Sequence, residues 1–145
     1  MKKAIVFLAN GFEEMEATGT VDILRRGGID TKTVSITDDR KVIGAHNMEY
    51  TADATFTEID LSDADALILP GGMPGASNLN NSEPVKEALL QQYREGRIVD
   101  GLERGADDYI TKPFSLSVLR ARVNTQLRKQ ASNHKNAPFH MDLFH

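Results

Sequence analysis

The chain has 145 residues, with 17 Lys+Arg, 21 Asp+Glu and a net charge of −4 at pH 7, a length that fits one domain or one domain with a tail. It holds no cysteine, which excludes disulfides, thiolate metal sites and cysteine nucleophiles within these residues. No apolar run nears the ~18 residues of a membrane span.

Residues 3–9 form a continuous apolar run of strand length, the kind buried on both faces of a parallel sheet. The run is too short for a signal peptide and reads as a first strand, so a cytoplasmic location is expected. Asn10-Gly11-Phe12 is the turn after it. Glu13, Glu14 and Glu16 then open a helix, where carboxylates suit the positive end of the dipole. Met15, Val21, Ile23 and Leu24 predict its buried stripe, and Gly27-Gly28 stops it. Residues 30–37 are a second strand, with Val34 and Ile36 alternating against polar neighbours. Residues 41–60 are rich in β-branched and small side chains, broken at Gly44 and Asn47. They predict one or two short strands forming a side hairpin.

Residues 66–70 are the third core strand, ending abruptly in Gly71-Gly72-Met73-Pro74-Gly75. Ser82 is a helix N-cap with Pro84 in the first turn. Val85, Leu89, Leu90 and Tyr93 predict the buried face of that helix, and Gly96 ends it. The charge changes sign near Arg94: residues 1–93 carry 8 Lys+Arg against 15 Asp+Glu, and residues 94–145 carry 9 against 6. This is an acidic domain with a basic last helix. A nucleic-acid surface would need a denser basic patch interleaved with aromatics. Residues 98–106 predict a short helix, and residues 108–112 a short strand broken by Pro113. Ser115 caps a last helix with Leu116, Leu119, Val123 and Leu127 on one face. Residues 131–145 read as a tail. His46, His134, His140 and His145 have no metal-ligand spacing, and no cofactor is expected.

The turn after residue 70 draws the chemistry together. Gly71 and Gly72 lack a Cβ, so their N–H groups can approach a ligand closely and form an anion-binding concavity. A reacting atom must lie about 3 Å from such donors, and no cysteine can supply one. Ser77 is too close in sequence to act as an elbow nucleophile, and there is no Gly-x-Ser-x-Gly motif. Lys112 is the remaining anion-binding candidate. If residues 109–111 pair beside residues 66–70, it stands at the carboxyl edge of the sheet, where ligands bind in open α/β folds.

Three stretches carry a family resemblance: Gly11-Phe-Glu-Glu-Met-Glu16, Val21-Asp-Ile-Leu-Arg-Arg-Gly-Gly-Ile29 and Leu67-Ile-Leu-Pro-Gly-Gly-Met-Pro-Gly-Ala76. With them, residues 1–97 resemble the ThiJ/PfpI superfamily. The resemblance implies a doubly wound α/β sandwich and a dimer. It also implies a carboxylate at Glu16 supporting a cysteine nucleophile, and an oxyanion site at the Gly71 and Gly72 amides. By counting, the cysteine position falls at or near Glu103. Residues 98–130 instead resemble the C-terminal third of a response-regulator receiver domain, through Gly101-Leu-Glu-Arg-Gly-Ala-Asp-Asp-Tyr-Ile-Thr-Lys-Pro-Phe-Ser115. In receivers the residue matching Lys112 contacts the phosphoryl group.

The expectation is therefore a flavodoxin-like, three-layer α/β/α sandwich with a mainly parallel sheet. Its core strand order would be 2-1-3-4, from residues 30–37, 3–9, 66–70 and 109–112, with right-handed crossovers and a side β-hairpin. Residues 1–130 form one hybrid domain, and 131–145 a tail. The expected function is a hybrid or engineered scaffold without an intact catalytic site, with Glu16, Gly71 and Gly72 vestigial. One alternative is a ThiJ/PfpI-type glyoxalase, deglycase or amidohydrolase-like enzyme. Another is a response-regulator-like signalling fragment. Self-association as a homodimer, with domain swapping as one form of it, is expected at the open sheet edge. Neither nucleic acid nor membrane is an expected partner.

Overall fold

The structure is a computed structural model and describes residues 2–102. Strand β1, Lys3–Leu8, is the centre on which the rest assembles. Its alternate residues feed two separate cores. Ala4, Val6 and Leu8 join one cluster with Ala17 and Leu24; Ile5, Phe7 and Ala9 join another with Leu79, Val85 and Leu89. A strand apolar on both faces needs a layer on each side. Helix α1, Glu14–Arg26, supplies one. Helices α2, Gly75–Asn80, and α3, Glu83–Arg94, supply the other.

Strand β2, Asp30–Ser35, pairs parallel with β1, and so does β6, Ala66–Leu69, on the opposite edge. The 2-1-3 part of the expected order is thus present as β2-β1-β6. Residues 41–60 do form a side hairpin, from β3, Lys41–Ile43, and antiparallel β4, Glu49–Thr51. They also add β5, Ala54–Thr55, which joins the main sheet beyond β2, and a 3-10 turn over Phe56–Glu58. Beside β6 lies β7, Ile98–Gly101, parallel and in register from Ala66↔Ile98 to Leu69↔Gly101. The described sheet reads β5-β2-β1-β6-β7.

Two sequence expectations are corrected. Residues 98–106 do not start as a helix: Ile98 and Asp100 alternate inward as a strand, and the Gly96 turn at φ 71° feeds them directly onto β6. A strand has only two edges, and those of β6 are taken by β1 and β7. The fourth core strand among the described residues is thus Ile98–Gly101, and residues 109–112, expected in that place, lie outside the described residues. The expected last helix, the tail and Lys112 lie outside the described residues.

The helix faces also differ in detail. Met15 is 58% exposed, whereas Glu14 and Glu16 are buried. In α3, Gln92 replaces Leu90 and Tyr93 on the buried face. Its Nε2 donates to the Ala64 carbonyl at 2.9 Å, so the amide fastens α3 to the chain entering β6. Ser82 caps α3 as expected, accepting from the Val85 N–H. Among the described residues no helix is long and apolar enough to cross a membrane.

Gly11 sits where the loops after β1 and β6 meet, and Gly28 lies apart at the end of α1. Gly11 has φ 90°, and a Cβ there would fall 2.4 Å from Pro74 Cδ and 2.8 Å from the Gly75 nitrogen. Gly28, at φ 82°, has nothing within 4 Å of its would-be Cβ. Gly28→Ala should therefore cost only the backbone term, about 1 kcal/mol. Gly11→Ala adds overpacking and should cost at least about 3 kcal/mol. Urea unfolding midpoints of the two variants at equal m-value check this contrast.

Candidate functional site

The strands β1 and β6 end side by side, so the loops that follow them share the carboxyl edge of the sheet. This is where ligands bind in open α/β folds. The loop after β1 turns at Gly11 and enters α1 at its N-cap Glu13, whose side chain accepts from the Met15 N–H. The loop after β6 is Pro70-Gly71-Gly72-Met73-Pro74, with a cis Met73–Pro74 bond.

Gly71 joins the two. Its N–H donates to Glu16 Oε1 at 2.5 Å, and its carbonyl accepts from the Glu13 N–H at 2.9 Å. Glu16 is 1% exposed, and its own carbonyl accepts from Thr20 Oγ1 one turn on. A carboxylate with so little water needs donors, and a backbone N–H is one of the stronger kinds for it. Gly72 has φ 95°, and a Cβ on it would lie 2.5 Å from the Glu13 nitrogen. The Gly72 N–H is taken by no acceptor among the described residues. The seam continues with Gly75 N–H to the Gly11 carbonyl at 3.1 Å and Asn78 Nδ2 to the Asn10 carbonyl at 2.8 Å.

The structure brings Glu16, Gly71 and Gly72 together and divides the two amides. The Gly71 N–H donates to Glu16, and the Gly72 N–H meets no acceptor among the described residues. Lys112 and Glu103 lie outside the described residues. The last described position before Glu103 is Leu102, a buried leucine whose N–H donates to the Leu69 carbonyl at 2.8 Å. On β7, Asp100 is a further buried carboxylate, 7% exposed. The sequence reading passed over Asp100 because it placed that residue in a helix; the inward alternation of a strand was the signal that could have found it.

The sequence reading also missed Glu14. Its carboxylate turns away from Glu16, toward the β3–β4 turn. Oε2 accepts from the His46 N–H at 2.7 Å and the Met48 N–H at 3.3 Å, and Oε1 lies 2.9 Å from His46 Nδ1. Burial alone would push the Glu14 carboxyl up. The His46 ring and the backbone N–H groups of Glu14, His46 and Met48 outweigh it and hold the carboxyl below its ordinary value. Donor atoms of Glu13, Glu14 and His46 lie within 4.8 Å of one another. The Glu14 Oε1 and the ring nitrogen are committed to each other, and Glu14 Oε2 accepts two backbone N–H groups, so the group reads as an ion-pair contact.

A family profile described as the DJ-1/PfpI family matches residues 2–106. Among curated proteins, the chain is 35% identical over 97 residues to Protein DJ-1 homolog B of Arabidopsis thaliana, covering 67% of this chain and 22% of that protein. It is 37% identical over 97 residues to the Parkinson disease protein 7 homolog of Danio rerio, covering 66% and 50%. Among solved structures, an alanine mutant of a DJ-1 superfamily protein from Salmonella typhimurium superposes with a TM-score of 0.66 at 39% identity, covering 68% of this chain and 54% of that one. Oxidized Toxoplasma gondii DJ-1 gives a TM-score of 0.66 at 28% identity, covering 68% of this chain and 54% of that one. The chain spans about half or less of the length of the curated relatives it matches.

Removing the Glu16 carboxylate strands the buried Gly71 N–H. Glu16→Ala should lose about 1–3 kcal/mol of stability. Glu16→Gln keeps an acceptor oxygen and should lose less. Denaturant midpoints of the two variants, compared with the parent chain, measure the difference.

Proposed function

The chain belongs to the DJ-1/PfpI family, and on that footing we propose that Glu16 and the Gly71-Gly72 turn form the carboxylate-and-amide part of a small-carbonyl site. The site is of the ThiJ/PfpI type, the class of glyoxalases, deglycases and amidohydrolase-like enzymes. The observation that carries this reading is the buried Glu16 carboxylate held on the Gly71 N–H at 2.5 Å, beside the Gly72 N–H. The Gly72 N–H is placed to polarise a carbonyl oxygen, and the Glu16 carboxylate to accept or return a proton. The 145 residues contain no cysteine, so this reading assigns them carbonyl binding and proton transfer without a thiol adduct.

The family match across residues 2–106 favours this reading over a catalytically silent hybrid or engineered scaffold. The receiver-like reading of residues 98–130, with Lys112 as a phosphoryl contact, rests on its sequence motif alone. The strand described beside β6 is β7, Ile98–Gly101, and residues 109–112 lie outside the described residues.

A homodimer is proposed as the assembly. Two large apolar side chains support it, Met15 at the start of α1 and Met48 at the hairpin, each more than half exposed. Isolated apolar residues are common on surfaces, but these two stand on elements joined by the Met48 N–H to Glu14 contact, where a second copy can cover both. Met48→Lys should shift the sedimentation mass from dimer toward monomer.

Titration with methylglyoxal, followed by amide NMR, tests the site. The Gly71 and Gly72 resonances should move in the parent chain and stay fixed in Glu16→Gln. Unmoved resonances in the parent chain would remove the reading. Turnover above a boiled control, lost in the same variant, would extend it from binding to catalysis.

A further inference from the structure

The β3–β4 hairpin is attached to α1 and the loop before it by uncharged contacts and by one ionisable contact. The uncharged ones include the Phe12–Tyr50 ring pair, the Thr18–Tyr50 hydroxyl pair and three hydrogen bonds. Gly11 N–H donates to the Ile43 carbonyl at 2.8 Å, Ala45 N–H to the Phe12 carbonyl at 2.7 Å, and Ile43 N–H to Asn10 Oδ1 at 3.0 Å. The ionisable contact consists of the Glu14 carboxylate and the His46 ring. The turn is shaped around that carboxylate. A Cβ at Gly44 would fall 2.3–2.4 Å from the Glu14 carboxyl group, and Asn47 closes the turn at φ 64°.

We propose that His46 and Glu14 form a pH-sensitive latch between the hairpin and the first turn of α1, and that the latch sets how firmly Glu16 is held against the Gly71 amide. The second part rests on the reading of Glu16 and Gly71 as the functional site; the first part stands without it. Glu14 and Glu16 are two residues apart on α1. The first is gripped by the hairpin and the second by the turn after β6. Loosening one end of this single helical turn changes the restraint on the other.

The groups facing His46 are few. From α1 come Glu14, at 2.9 Å, and Glu13, whose Oε2 lies 3.7 Å from Nδ1. The loop between β1 and α1 presents Asn10, which does not titrate. On the hairpin itself, Lys41 and Glu49 pair with each other at 3.6 Å. Two carboxylates thus face the ring with no opposing cation among the described residues. The hydrogen bond that the ring donates to Glu14, then the negative charges of Glu13 and Glu14, raise the His46 pKa above its ordinary 6.5.

The two partners bound the latch from opposite sides. His46 is raised, so its contribution is complete below its unfolded pKa and is lost as pH rises through its folded value. Glu14 is lowered, so its contribution is present above the ordinary carboxylate range and is lost as pH falls through its folded value. The latch is closed in the mildly acidic interval between them. Above that interval the two backbone N–H groups still hold Oε2, so the hairpin loosens without detaching.

NMR titration of the full chain tests this, with His46→Gln assigning the His46 ring signal among the four histidines. The His46 midpoint should lie above 6.5 and fall back toward it in Glu14→Gln. The Met48 amide should exchange faster, after correction for intrinsic rate, as pH passes through the His46 midpoint. The Gly71 amide resonance should move with the same midpoint, and that movement should vanish in His46→Gln. That variant keeps the backbone attachments and should remain folded. A midpoint at or below 6.5, or one indifferent to Glu14→Gln, would overturn the latch. A Gly71 resonance that ignores the His46 titration would overturn its link to the site. Methylglyoxal is absent throughout, so failure of the carbonyl-binding reading shows separately, in its own titration.

Discussion

The backbone of Gly71 is held from both sides, and much of the structure depends on it. Its N–H donates to the Glu16 side chain and its carbonyl accepts from the Glu13 N–H. One residue therefore fixes the end of β6 to the first turn of α1. Neither contact forms unless the two loops approach at backbone distance, and that approach requires residues without a Cβ. At Gly11, Gly72 and Gly75 an added Cβ would meet backbone or proline ring atoms of the facing loop at 2.4–2.7 Å. The glycine spacing and the buried glutamate are thus parts of one constraint: the loops can touch, and the touching places an acceptor on an amide that would otherwise be buried unpaired.

Burying carboxylates at a helix start has a physical logic as well as a cost. Desolvation opposes the charged form, but the first-turn N–H groups and the helix dipole favour it. Successive residues on a helix turn by about 100°, so Glu14 and Glu16 point in widely different directions. One reaches the hairpin and the other the turn after β6, while Met15 between them faces out. The hairpin reinforces this arrangement through Phe12 and Tyr50, whose rings meet edge to face at 5.1 Å, and through Tyr50 Oη with Thr18 Oγ1 at 2.5 Å.

The sequence made the layers legible because strand periodicity and glycine punctuation are local signals. The doubly apolar run of β1, the alternation of β2 and the Gly-Gly stop after β6 each predict their element without reference to the others. Which strand lies beside β6 was not local. Residues 98–101 read as a helix because Ile98, Val99 and Leu102 have helical spacing, yet β6 offered an unpaired edge and the short turn at Gly96 led straight to it. Tertiary pairing overrode a weak propensity. The inward glutamates were hidden for a related reason. Carboxylates in a first turn suit a solvated helix start equally well, and only the Gly71 amide and the Glu14–hairpin contacts, distant in sequence, distinguish the two cases.

The same geometry bears on what the site can do without a thiol. In an oxyanion arrangement the amides must be unoccupied when charge develops. Here the Gly71 N–H already carries the Glu16 side chain, so on the proposed carbonyl-site reading a ligand oxygen arriving at Gly72 finds a single donor. On that reading a neutral carbonyl, which needs one donor, suits the turn better than a carboxylate, whose second oxygen would find the neighbouring N–H taken.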